Sequence, residues 1–111
     1  MHISYKDKKL GQSANNSKLL KKNYGMLADK LKQRLDQLFK AESLEELRNA
    51  PGNFHELKQN RKGQWACNLN ANHRLIFTPQ ESPIPIDDTG SFNWSEIRGI
   101  EIIEIIDYHG E

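Results

Sequence analysis

The fold is decided by residues 100–106, which have the sequence Ile-Glu-Ile-Ile-Glu-Ile-Ile. Five isoleucines in seven residues predict a β-strand built into a core, because β-branched side chains pack well on a buried, pleated surface. Asp107, Tyr108 and His109 follow this strand directly. An acid, a phenol and an imidazole can orient or transfer protons where a rigid strand meets solvent, so they are candidates for an active site. A polar strand end without a function is the simpler alternative.

The chain upstream of this strand also has a period of two. The apolar side chains of residues 64–69 alternate and are predicted to share one face of a strand: Trp65, Cys67 and Leu69. Residues 70–72, Asn-Ala-Asn, predict a hairpin connection, and residues 74–78 predict the returning strand. Residues 79–93 contain three prolines and two aspartates, which predicts a long loop that is either functional or mobile.

The first half of the chain has a helical period instead. Ile3 and Tyr5 predict a short first strand, and residues 15–17, Asn-Asn-Ser, predict the N-cap of a first helix. Gly25 is predicted to break or bend the chain before a second, amphipathic helix. The apolar stripe of that helix consists of Leu27, Leu31, Leu35 and Leu38, with Phe39 beside it and Lys30, Lys32 and Arg34 predicted to lie off it.

A third, short helix is predicted from a capping box, in which Ser43 is followed three residues later by Glu46. The Pro51-Gly52 pair is predicted to end it. The whole chain, residues 1–111, is therefore expected to be one α+β domain. In this fold an N-terminal strand and a helical hairpin pack on one side of a mainly antiparallel sheet.

Composition and charge exclude several classes of protein. Charged residues make up 28% of the chain, as in ordinary soluble proteins, and no apolar run exceeds three residues, so no membrane span is expected. The start of the chain has no apolar signal segment, and the single Cys67 excludes an internal disulfide, so a cytoplasmic protein is expected.

The net charge is +1, but it is unevenly distributed along the chain. Residues 1–40 contain ten basic and three acidic residues, or +7, whereas residues 80–111 contain one basic and eight acidic residues, or −7. The basic half could attract a polyanion. Alternatively, the lysines only solvate the helices.

Further candidates for chemistry lie in the middle of the chain. His55 and Lys58 precede a basic turn with Arg61 and Lys62, and Arg74 begins a strand otherwise suited to burial. An arginine in such a strand needs a partner or an anionic ligand. The four histidines are scattered and the lone cysteine has no companion, so neither a metal site nor another cofactor is expected.

This metal-free set of side chains suits RNA cleavage. The reaction needs a base for the 2′-hydroxyl proton, cations for the charge that develops on the phosphorane, and an acid for the departing 5′ oxygen. Histidine titrates near neutrality, while lysine and arginine bind phosphate.

The same residues, in this order, resemble the HigB-like branch of the RelE/ParE toxin superfamily, the toxins of bacterial type II toxin–antitoxin pairs. The matching stretches are residues 55–58 (His-Glu-Leu-Lys), 61–65 (Arg-Lys-Gly-Gln-Trp), 74–77 (Arg-Leu-Ile-Phe) and 104–109 (Glu-Ile-Ile-Asp-Tyr-His). The resemblance implies a RelE-like fold and an mRNA endoribonuclease that acts in the ribosomal A site by attack of a 2′-hydroxyl on the adjacent phosphate. It also implies a cognate helix-turn-helix antitoxin, through which alone the toxin would reach operator DNA.

The resemblance also assigns residues to the site. His55, Lys58, Asp107, Tyr108 and His109 match catalytic positions of the family, and Arg74 matches the sheet arginine near the scissile phosphate. His109 or Lys58 would act as the base and His55 or His109 as the acid. Lys58 and Arg74 would stabilise charge, Tyr108 would orient the 2′-hydroxyl or stack on a base, and Asp107 would hold an imidazole. Arg61 and Lys62 are expected to contact phosphates.

Two other readings of the sequence stay open. The protein could be a non-enzymatic inhibitor, like the gyrase-binding branch of the superfamily, or an inactive relative that only binds its antitoxin. At the level of residues, His55 could be structural, Lys58 could be solvated, and Arg74 could form an ion pair with Asp107 or a glutamate.

Overall fold

The computed structural model describes residues 1–107, and over this range the chain forms a five-stranded sheet. The strands are β1 (His2–Tyr5), β2 (His55–Glu56), β3 (Trp65–Asn68), β4 (His73–Pro79) and β5 (Gly99–Asp107). They lie in the order β1-β5-β4-β3-β2. β1 runs parallel to β5, and the other three pairs are antiparallel. The α+β class and the mainly antiparallel sheet predicted from the sequence are thereby confirmed.

The described residues include three α-helices, α1 (Lys8–Ser13), α2 (Ser17–Tyr24) and α3 (Ala28–Lys40). Short 3-10 turns cover Gly25–Leu27, Leu44–Leu47, Gln59–Arg61 and Trp94–Glu96. The side chain of Asn16 accepts a hydrogen bond from the backbone N–H of Leu19 at 3.1 Å, so the predicted N-cap of α2 is confirmed. The sequence prediction missed α1, which is capped by Asp7 and is only six residues long.

The core lies between the helices and one face of the sheet. Leu31, Leu35 and Leu38 of α3 are buried there, as their spacing predicts, together with Leu10 and Leu20 of the preceding helices. The sheet contributes its own buried side chains to the same cluster: Trp65, Cys67, Leu75, Phe77, Ile100 and Ile102. The face of the sheet away from the helices carries other side chains, among them His55, Arg74 and Glu104.

Two details of the helical half differ from the prediction. Arg34 was predicted to lie off the apolar stripe of α3, yet it is only 7% exposed. Its Nε donates to the carbonyl of Asn68 at 2.8 Å and its Nη1 donates to Oε1 of Gln37 at 2.8 Å. The prediction of a capping box at Ser43 is also wrong, because the residues that follow form a 3-10 turn and the Ser43 side chain makes no capping hydrogen bond.

The long loop after β4 turns back on itself. Ile86 and Phe92 form an isolated antiparallel bridge, and the N–H of Asn93 donates to the carbonyl of Pro85 at 2.8 Å. At the tip, hydrogen bonds from Thr89 lower the pKa of the Asp87 carboxyl. The loop then leads into a single 3-10 turn at Trp94–Glu96 and into β5.

Candidate functional site

The register of the sheet shows which residues share the face opposite the helices, called the second face below. One row across this face contains His55, Ala66, Ile76 and Glu104. The next row contains Asn68, Arg74 and Ile106. Because side chains alternate along a strand, these residues point away from the helix-side core. The second face therefore combines an imidazole, a guanidinium and a carboxylate.

A β-bulge in β5 brings Glu104 to this face. Ile76 is paired with Glu104 while the next residue, Phe77, is paired with Ile102, so Ile103 is an extra residue on β5. Without the bulge, Glu101 and Glu104 would point to opposite faces, since they are three residues apart. With it, both lie on the second face.

His55 is half-buried in the two-residue strand β2. Its Nδ1 lies 2.7 Å from the backbone carbonyl oxygen of Asn53. A carbonyl can only accept, so Nδ1 carries the proton in this bond, and in the neutral ring Nε2 holds the lone pair. Asn53 has φ of 52°, a conformation that asparagine tolerates better than most residues. This arrangement fixes the tautomer of His55 and gives Nε2 the means to accept or, when protonated, to donate a proton.

Lys58 and Lys62 are exposed at the two ends of the turn between β2 and β3. The turn contains Gln59 with φ of 57° and Gly63 with φ of 93°. It is tied to β4 by a hydrogen bond from the Thr78 hydroxyl to the carbonyl of Gly63 at 2.8 Å. Both lysines are therefore presented on an anchored turn beside the second face.

Arg61, in the same turn, makes an ion pair that the sequence did not predict. Its Nη2 lies 2.9 Å from Oε2 of Glu104, and its Nη1 donates to Oε1 of Gln64 at 2.8 Å. The guanidinium of Arg61 is therefore oriented by two acceptors. Glu104 is separated from Arg61 by 43 positions in the sequence, and only the bulge aligns it, so no local pattern signals the pair.

Arg74 is half-buried near the start of β4. Its Nη1 donates to the carbonyls of Asn70 and His73 at 3.0 and 3.2 Å, which holds the guanidinium against the β3–β4 hairpin. It lies one row from His55 on the second face. From the spacing of strands and residues, the two Cα atoms are separated by roughly 12 Å.

Asp107 is the last described residue, is exposed and is paired in register with His73. Because side chains alternate along a strand, the Cβ of Asp107 points to the same face of the sheet as Ile105, the helix side. Arg74 and Ile106 point to the opposite face. Tyr108 and His109 lie outside the described residues. Of the predicted site, the structure thus brings His55 and Arg74 to one face, with Lys58, Arg61 and Lys62 on the turn beside it.

The described residues do not favour a cysteine nucleophile, a metal site or a membrane-spanning helix. Burial raises the pKa of the Cys67 thiol to about 12, so it is a poor nucleophile. Within residues 1–107 no group of three or more His, Cys, Asp or Glu side chains could hold a metal ion. Over the same residues, none of the helices has the length and apolar character needed to cross a membrane.

Comparison with known proteins agrees with this fold. The family model described as "RelE-like toxin of type II toxin-antitoxin system HigB" matches residues 3–85, about three quarters of the chain. No curated protein matches. Two solved structures from Staphylococcus aureus, the YoeB dimer and the YoeB–YefM complex, match with TM-scores of 0.55 and 0.56 at 20% and 19% identity, each covering 99% of this chain and 98% of that chain. A YoeB/ParE toxin from Agrobacterium tumefaciens has a TM-score of 0.51 at 12% identity, covering 99% of this chain and 100% of the other. At such identities these structures support the fold alone.

The sheet, the helical layer and the family match define the class of this protein as a RelE-like toxin of a type II toxin–antitoxin system. Within that class the chain belongs to the HigB-like toxin family. The resemblance found in the sequence is confirmed.

Proposed function

We propose that this toxin is a metal-independent endoribonuclease that cleaves mRNA in the ribosomal A site and so stops translation. The observation that carries the proposal is the second face of the sheet. There His55, with a fixed tautomer, and Arg74, held against the hairpin, lie one row apart. A separation of roughly 12 Å between their Cα atoms leaves room for one nucleotide between the two side chains.

The reaction would proceed by attack of the 2′-oxygen on the adjacent phosphorus. A base removes the 2′-hydroxyl proton, the O2′–P bond forms, the P–O5′ bond breaks, and an acid protonates the departing 5′ oxygen. The products are a 2′,3′-cyclic phosphate and a 5′-hydroxyl. Each proton transfer would contribute about 10²–10⁴-fold to the rate.

The residues divide these tasks. His55 or His109 supplies the acid and His109 or Lys58 the base, while Arg74 and Lys58 stabilise the negative charge on the phosphorane. Tyr108 orients the 2′-hydroxyl or stacks on a base, and Asp107 holds an imidazole. Lys62 contributes a phosphate contact from its exposed position on the turn.

Two partners follow from this proposal. Action in the A site requires the ribosome and its mRNA, and hence a cytoplasmic location. The toxin would also have a cognate helix-turn-helix antitoxin that neutralises it and carries it to operator DNA. In the solved YoeB–YefM complex, a chain with a fold similar to that of this protein is bound to a second protein.

The test compares wild type with His55→Ala, Lys58→Ala and His109→Ala under tightly controlled expression, with mRNA 5′ ends mapped in arrested cells. Wild type is expected to arrest growth and to create new 5′ ends inside codons. The variants should produce these ends about 10²–10⁴-fold more slowly in a translation reaction. His2→Ala is the matched control, because His2 lies on the edge strand β1, where its Nδ1 contacts Gln80 at 3.1 Å.

Two outcomes would overturn the nuclease proposal. If wild type and all three site variants arrest growth equally without new 5′ ends, the protein is a non-enzymatic inhibitor. If none of them arrests growth, the chain is a binding module or an inactive relative.

A further inference from the structure

The ion pair between Arg61 and Glu104 joins the β2–β3 turn to β5 across the second face. Its partners are separated by 2.9 Å and their side chains are 35% and 43% exposed. At such exposure an ion pair contributes little to stability. Its position is more informative than its energy, because Glu104 lies in the same row as His55.

A carboxylate in this row has an electrostatic cost for a protein that binds RNA. Glu104 repels a phosphate on the second face unless a cation neutralises it. Arg61 supplies that cation, and it is held from two sides, by Gln64 in its own turn and by Glu104 on β5. Two acceptors bound to different nitrogens restrict both the position and the plane of the guanidinium.

The hydrogen bonds of Arg61 within the described residues do not use all of its N–H donors. A guanidinium has five N–H donors, and the hydrogen bonds of Arg61 within residues 1–107 go to Gln64 and Glu104. The remaining donors can contact a phosphate without breaking the ion pair. An arginine that is already ordered does not lose the conformational entropy that a mobile one loses on binding.

We infer that Glu104 is a positioning residue for RNA binding: it holds the Arg61 guanidinium in the orientation that contacts an RNA phosphate. This inference rests on the proposed function. It assigns a role to a residue of β5 that touches no substrate, and it explains why a carboxylate occupies a face that binds a polyanion.

The test separates the charge of Glu104 from its hydrogen bond. Glu104→Gln removes the charge but keeps an oxygen that can accept from Arg61, whereas Glu104→Ala removes both. Binding is measured to ribosomes programmed with mRNA that is 2′-O-methylated in the A-site codon, which blocks the attacking hydroxyl. E104Q is expected to bind at least as tightly as wild type. E104A should require about threefold to tenfold more toxin for half-saturation than E104Q.

The same pair of substitutions is then made in an Arg61→Ala background. With Arg61 removed, E104Q and E104A should bind equally, because the residue to be positioned is gone. Glu101→Gln and Glu101→Ala provide the matched control. Glu101 is half-buried, lies on the same face of β5 and is paired with Thr78, so its two variants should not differ.

Equal binding by E104Q and E104A with Arg61 present would overturn the inference, as would a difference that persists in the R61A background. If E104A does not fold, Glu104→Ser replaces it, because serine is too short to reach Arg61. Cleavage of unmodified mRNA by the wild type is measured in parallel. Loss of the E104Q–E104A difference with intact cleavage refutes only the positioning role. A wild type that neither binds nor cleaves refutes the proposed function, and the positioning role with it.

Discussion

Arg34 is a charged side chain buried beside the core, and its hydrogen bonds explain how it is tolerated there. It links α3 to the carbonyl of Asn68 in β3, and Gln37 extends the link through a hydrogen bond from its Nε2 to the carbonyl of Pro51 at 2.9 Å. Gly52 gives it space. A Cβ at that position would lie 2.7 Å from Nε of Arg34, and the φ of 113° at Gly52 is one that L side chains rarely adopt.

Arg34→Ala is therefore expected to lower the free energy of unfolding by about 2–3 kcal/mol, since it leaves the carbonyl of Asn68 without its donor and removes a packed side chain. Lys32→Ala is the control. Lys32 lies on the exposed side of α3, with its Nζ 3.5 Å from Asp36, so this change should cost less than about 0.5 kcal/mol. Urea denaturation of both variants measures the difference. Equal midpoints would show that the buried hydrogen bonds of Arg34 contribute nothing.

The bulge in β5 is the element that organises the second face. The strand repeats Ile-Glu-Ile twice, at residues 100–102 and 103–105, and an unbroken strand would point the two glutamates to opposite faces. The extra residue Ile103 restores the phase, so Glu101 and Glu104 share the second face while Ile102 and Ile105 stay with the core. Such bulges often redirect side chains next to functional sites.

The loop between β4 and the last 3-10 turn is fixed by an aromatic side chain. The ring of Phe92 packs on that of Trp65 with centroids 5.5 Å apart, and Trp65 is fully buried. Ile86, its partner in the isolated bridge, is 61% exposed. The two residues pair in the same bridge, but the side chain of Phe92 is half-buried against Trp65 whereas that of Ile86 is exposed.

Phe92→Ala is expected to destabilise the protein by about 2 kcal/mol, less than for a fully buried phenylalanine because Phe92 is half-buried. Ile86→Ala should change the free energy of unfolding by less than about 0.5 kcal/mol. Thermal or urea unfolding of the two variants gives the comparison. If Ile86→Ala is the more damaging change, the loop is not held by Phe92.

Elements with a clear period could be predicted from the sequence, and short or non-local ones could not. The leucine spacing of α3 extends over enough residues to reveal its buried side. The alternation in β3 predicts which side chains point to the helices, but Ala66 on the second face is buried as well. Helix α1 has only Leu10 and Ser13 buried, and β2 has two residues, so neither shows a period. The bulge in β5 depends on the pairing with β4, which is set by tertiary packing and has no local signal.

For the site, the sequence supplied the kinds of side chain but not their arrangement. His55 and Arg74 were identified from their residue types and from the family resemblance, and the register then placed them on one face. The tautomer of His55 could not be foreseen, since it depends on a backbone carbonyl two residues away. Nor could the burial of Arg34, because a helical period treats every charged residue as exposed.

At the scale of the whole molecule, the helices and the sheet carry opposite charges. The basic residues of the first forty positions lie mostly on α1, α2 and α3, whereas β5 alone carries Glu101, Glu104 and Asp107. With a net charge of only +1, the molecule as a whole attracts RNA weakly, so any attraction has to come from a local group of basic residues, and the helical side carries the largest such group. Because of this uneven distribution, attraction of RNA by the helical side can be measured separately from the proposed reaction on the second face.

The combined change Lys18→Gln, Lys21→Gln and Lys22→Gln tests this separation, because all three lysines are exposed on α2. If they attract RNA, the slope of the logarithm of the ribosome-binding constant against the logarithm of salt should become shallower by about two. At high salt, where the screening length falls to about 3 Å, variant and wild type should converge. The cleavage rate at saturating toxin should not change, because α2 lies on the opposite side of the sheet from His55 and Arg74. An unchanged salt slope would mean that these lysines only solvate the helix, and the attraction would then have to arise on the turn that carries Lys58, Arg61 and Lys62.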